Sequence, residues 1–77
     1  MKYDINDIVR IKSEKQIKKE YPQYIAEPSR KALFGKLLCI KRISEAYEAP
    51  RPVEAIYYFQ GVKETALSEL FIEGKVS

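Results

Sequence analysis

Residues 5–12 alternate with period two, Val9 and Ile11 falling on one face and Arg10 and Lys12 on the other. With its β-branched content, this pattern predicts a half-buried strand. Ser13 followed by Gln16 has the form of a capping box, and residues 15–21 can make two helical turns with Ile17 and Tyr21 on one face. Glu14 and Lys18 form an i,i+4 pair there, and Pro22 ends the helix. Residues 22–35 are a long excursion, punctuated by Pro22, Pro28, Ser29 and Gly35 yet carrying Tyr24, Ile25, Leu33 and Phe34. Apolar Ile17, Tyr21, Ile25 and Leu33 are expected to pin this stretch to the rest of the fold. Long connections in a small domain are commonly functional.

Residues 36–43 read as a second strand, whose apolar run Leu37-Leu38-Cys39-Ile40 suggests partial burial on both faces. Residues 44–52, with Pro50 and Pro52, read as a hairpin loop, residues 53–60 as a third strand and residues 61–64 as a turn. Residues 65–73 admit two readings: two short strands about a 3₁₀ turn at residues 68–70, or a terminal helix, since Leu67, Leu70 and Phe71 also suit helical spacing. The expected core includes Val9, Ile11, Leu37, Ile40, Phe59 and Leu67. Cys39, inside the second strand, reads as a small buried core residue.

Particular residues resemble the small SH3-like β-barrels. Asn6-Asp7-Ile8-Val9-Arg10-Ile11 resembles their GD-x-V-x-I opening, with asparagine at the first glycine. Phe34-Gly35-Lys36 with Ile40 and Ile43 resembles the GK-x-G-x-I-x-x-I second strand, with Leu38 at its later glycine. Residues 53–59 and Ala66-Leu67-Ser68-Glu69-Leu70-Phe71-Ile72 resemble the V-x-F … A-x-x-E-L ending. The small SH3-like protein of photosystem I, the variable chain of ferredoxin–thioredoxin reductase, KOW-type barrels and phage SH3-like proteins share this plan. The resemblance implies a mainly β fold: one five-stranded SH3-like barrel over residues 1–77. It would have a long first loop carrying a short helix, and a 3₁₀ turn before the last strand. It favours strand–turn–strand at 65–73. It carries over no catalytic or ligand residue, because fold does not dictate function.

Length and composition set the bounds on function. At 77 residues, 45% hydrophobic and 32% charged, the chain is long enough for one globular domain and too short for a multidomain enzyme. It contains no histidine and one cysteine, which removes Ser-His and Cys-His nucleophile arrangements, a CxxC pair and an intrachain disulfide. Its three glycines stand far apart and make no phosphate cradle. No catalytic residue, cofactor or metal is therefore expected. No apolar run approaches the roughly 18 residues of a membrane span, and the first residues have no secretory apolar stretch, so a cytoplasmic protein without membrane contact is expected.

Charge locates the candidate site. The net charge is +3, but residues 1–42 hold eleven Lys/Arg against five Asp/Glu, while residues 43–77 hold three against six. The excess concentrates in the first connection, at Lys12, Lys15, Lys18, Lys19, Arg30 and Lys31, interleaved with Tyr21 and Tyr24. Lysines neutralise phosphates and tyrosines stack on unpaired bases. A solvated loop anchored by its tyrosines is the plainer account, since Glu14, Glu20 and Glu27 interrupt the patch. A second candidate is Tyr57-Tyr58-Phe59. Tyr57 shares a strand face with Phe59, which suits a core, and an exposed tyrosine beside a proline-bearing loop resembles the grooves that bind polyproline segments. Glu45, Glu48 and Glu54 near the hairpin read as solvated surface.

These observations lead us to expect a small non-catalytic binding module or accessory subunit that engages a protein or protein assembly. The resemblance adds a phage or mobile-element setting. The alternative is a KOW-type barrel that binds nucleic acid through Lys15, Lys18, Lys19, Tyr21, Tyr24, Arg30 and Lys31.

Overall fold

The computed structural model describes residues 3–46, 54–63 and 65–76, the side chains of 45, 46 and 54 excepted. The chain runs β1 (Ile8–Ile11), α1 (Glu14–Glu20), α2 (Pro28–Lys31), β2 (Leu37–Ala46), β3 (Glu54–Phe59), β4 (Ala66–Ser68), a 3₁₀ turn (Glu69–Phe71) and β5 (Ile72–Lys75). The five strands form one antiparallel sheet in the order β4-β3-β2-β1-β5. The mainly β class and the strand–turn–strand ending agree with the sequence. The closed barrel does not: among the described residues, edge strands β4 and β5 do not pair with each other. They are three and four residues long and are joined by the 3₁₀ turn, which leads the chain from one edge to the other in place of a ladder.

Local chemistry sets the boundaries. Ser13 caps α1 by accepting the Gln16 amide at 3.2 Å, as the capping pattern predicts. Ser68 caps the 3₁₀ turn in the same way, its Oγ accepting the Leu70 amide at 3.2 Å, which places the turn one residue later than expected. Pro28 opens α2, where its missing N–H is harmless. Asn6 adopts φ 76°, the left-handed region that asparagine tolerates better than most residues, at the position where the barrel pattern has glycine.

Register decides which apolar residues enter the core. Val9 pairs with Leu38 and Ile8 with Cys39, so Leu38 and Ile40 face inward while Leu37 and Cys39 face outward. The expected burial of Leu37 is thereby corrected: it stands opposite Arg10 and is 49% exposed. The expected core place of Cys39 is corrected too: it pairs with exposed Ile8 on the outward face and is only half-buried, its Sγ 3.6 Å from the Asn6 carbonyl oxygen. In β2 the register slips between Ile40 and Arg42, a bulge that absorbs one extra residue. Ile40 and Ile43, three apart, consequently both pack on the core. The fully buried set includes Val9, Ile11, Ile40, Tyr57, Phe59 and Leu67, with Leu33 and Ile72 close behind.

The hairpin segment 47–53, and the side chains of Glu45 and Glu54, lie outside the described residues. Among the described residues no helix is long and apolar enough to cross a membrane.

Candidate binding groove

The first connection is folded down by a cluster of rings centred on Phe71, the last residue of the 3₁₀ turn. Tyr24 lies 5.0 Å from it between ring centroids, Tyr21 6.0 Å in an edge arrangement, and Phe34 6.3 Å in a stacked one. Backbone bonds tie the same region together: the Lys12 amide donates to the Phe71 carbonyl at 2.9 Å, and the Gly35 amide to the Lys12 carbonyl at 3.0 Å. Gly35 turns the chain back into β2 at φ 78°. Ile17, 2% exposed, provides the buried face of α1, and Leu33 joins the main core. Three of the four expected anchors hold, Tyr21 while only half-buried and through its ring contact with Phe71; the fourth, Ile25, is 91% exposed.

Between α1, the 22–26 segment and α2 lies a groove of about 400 Å³. Its apolar lining comes from Ile17, Pro22, Tyr24, Ile25, Ala26 and Phe34, and its charged lining from Glu14, Lys18 and Lys31. One carboxylate oxygen of Glu14 meets Lys18 at 3.2 Å and Lys31 at 3.4 Å, so it links α1 to α2 across the groove. These contacts, the Lys18 hydrogen bond foremost, hold the Glu14 carboxyl below its usual pKa. At the other end of α1, Lys12 meets Glu20 at 2.8 Å and lowers the Glu20 pKa in the same way. The Lys12 ammonium also lies 6.0 Å from the Tyr21 ring centre. The Tyr24 hydroxyl is buried and has no hydrogen-bond partner among the described residues.

The residues singled out from sequence are therefore divided. Lys18, Lys31 and Tyr24 line the groove. Tyr21 and Tyr24 are brought together, but as packing partners of Phe71 and not as open stacking platforms. Lys15 and Lys19 stand on the exposed surface of α1, and Arg30 is half-buried on α2. The Tyr57–Tyr58 face does not exist as one surface. Tyr57 is fully buried, with its ring edge-on to Tyr3 at 5.7 Å and its hydroxyl donating to Glu69 at 3.5 Å. Tyr58 lies on the opposite face under the Arg42 guanidinium, 3.8 Å from its ring centre. Alternation along β3 separates the two.

Phe71 was the residue that sequence reasoning missed as an organiser. Its contacts reach back about fifty and thirty-seven positions, to Tyr21, Tyr24 and Phe34, a distance no local periodicity encodes. The Lys31 arm of the Glu14 bridge was hidden for the same reason, whereas the Lys18 arm was readable as an i,i+4 pair. Among the described residues no group of three or more His, Cys, Asp or Glu side chains is placed to hold a metal ion. No family model matches the chain, and no curated protein or solved structure matches it.

Proposed function

We propose that the chain is a small non-catalytic binding module that docks a protein partner in the groove between α1 and the 22–34 segment. The observation that carries this reading is the lining itself: six apolar side chains, one of which, Ile25, is left 91% exposed. Among the described residues Ile25 is the most exposed of the large hydrophobic side chains, and its place next to a concavity suits an interface anchor. The fold is read as an open form of the SH3-like plan. Its order β4-β3-β2-β1-β5, with a 3₁₀ turn between the last two strands, supports that assignment.

Nucleic-acid binding is the second reading, favoured by the exposed lysines Lys15 and Lys19. It is the weaker of the two, because Tyr21 and Tyr24 are committed to Phe71 and offer bases no clear stacking surface.

Ile25→Asp tests the proposal, since it changes one exposed side chain and should leave the melting temperature within about 2 °C. Affinity capture from the native host with wild type and Ile25→Asp in parallel should yield a protein retained only by wild type. Identical capture by both proteins would remove the groove from the function. Retention on a nucleic-acid column that weakens steeply with salt, and is unaffected by Ile25→Asp, would favour the second reading.

A further inference from the structure

Charge around the groove specifies its occupant further. Residues 12–36, which build the groove, hold seven Lys/Arg against three Glu, a net +4 in a chain whose total is +3. Two of the three carboxylates are already engaged. Glu20 is held by Lys12 at 2.8 Å, and Glu14 is shared by Lys18 and Lys31. Two ammonium groups facing one carboxylate oxygen leave positive charge uncompensated at the groove, and both stay more than half exposed, at 71% and 54% of the side chain. Lys15 and Lys19 extend the same sign along α1 at helical spacing. The groove thus combines an apolar lining with a cationic border.

We infer that the groove takes an acidic peptide segment: an apolar anchor residue seated against Ile17, Tyr24, Ile25 and Phe34, flanked by Asp or Glu facing Lys18 and Lys31. This rests on the groove reading above and adds the partner's chemistry. An incoming carboxylate relieves the two-to-one imbalance at Glu14, and the like charge of a basic segment would be repelled. The apolar anchor supplies the affinity, and the charges set the choice of partner and the rate of encounter.

A displayed random dodecapeptide library panned against the full chain provides the probe. Its most enriched sequence is then synthesised with a fluorescent label and titrated by anisotropy at low and at high salt. The expected consensus is an aliphatic or aromatic residue with Asp or Glu within about one helical turn's span of chain. Affinity should fall about tenfold or more in Ile25→Asp, fall about tenfold in Lys18→Glu/Lys31→Glu, and weaken with salt. Lys18→Gln/Lys31→Gln removes both charges without adding carboxylates beside Glu14, and must reproduce the loss in direction. A consensus with an apolar anchor but neutral or basic flanks, sensitive to Ile25→Asp and indifferent to the lysine variants, would overturn the acidic assignment and leave the groove standing. No enrichment, or a peptide indifferent to Ile25→Asp, would overturn both. A labelled oligothymidylate that binds more tightly than the selected peptide and competes with it would overturn the assignment in favour of a nucleic acid.

Discussion

Truncating Phe71 to alanine should loosen the first connection, and with it the groove, more than it loosens the sheet. Complete truncation of a buried phenylalanine costs about 3–5 kcal/mol. Phe71 is half-buried, which scales the expected loss to about 2–3 kcal/mol. Its pairings with Tyr21, Tyr24 and Phe34, each at the lower end of the about 0.5–1.5 kcal/mol of an aromatic pair, supply much of that figure. A domain of this length has a total stability of about 4–12 kcal/mol, so the sheet can survive the change. Apart from that cluster, α1 is held by Ile17, its single buried residue, and by the surface Lys12–Glu20 and Glu14–Lys31 pairs, which contribute little, and a seven-residue helix is marginal alone. Amide hydrogen exchange followed by NMR distinguishes local from global effects. Exchange of the α1 amides should accelerate about 30- to 150-fold, the factor that 2–3 kcal/mol implies, and by more than exchange in the β2–β3 ladder. Urea unfolding should show a smaller loss of stability, because the β2–β3 ladder outlasts the connection. A double-mutant cycle of Phe71→Ala with Tyr24→Ala should give a coupling of about 0.5–1.5 kcal/mol. If α1 accelerates no more than β2–β3, or if the coupling is nil, the ring cluster is not what seats the connection.

Two further predictions concern buried hydroxyls. Tyr24→Phe removes a buried donor with no acceptor, so stability should rise by about 1 kcal/mol and the melting temperature by about 4–8 °C; a fall would mean that the hydroxyl has a partner. Burial and, next, the nearby Glu69 charge raise the Tyr57 pKa above its ordinary 10.0. A raised folded-state value favours the neutral phenol, so this contribution is fully present below pH about 10 and is lost as pH climbs toward the folded pKa. Denaturant midpoints should therefore drop above about pH 10, and the drop should shrink in Tyr57→Phe; an equal drop in the variant would assign the alkaline transition to other groups.

The local signals in this chain were legible because their causes are local. The cap at Ser13, the stop at Pro22, the Glu14–Lys18 pair and the inward faces of β1 and β3 all follow from spacings of two to four residues. Only tertiary structure could decide the remainder. Leu37 and Leu38 are the same residue type side by side. The pairing of Val9 with Leu38 sends one inward and the other out. The bulge after Ile40 then resets the alternation, so that Ile43 also packs inward. Ile25 and Ile17 are equally apolar, yet one is 91% exposed and the other 2%, because Ile17 lies on the buried face of α1 while Ile25 lies on the 22–26 segment that borders the groove. The basic cluster was visible as composition, but its electrostatics depended on which carboxylates folding brought near. Glu14 meets Lys31 where the connection that packs Tyr21, Tyr24 and Phe34 on Phe71 brings α1 and α2 side by side. A sequence states which charges and rings are available; the contacts between distant segments determine which of them neutralise one another, and which are left facing a partner.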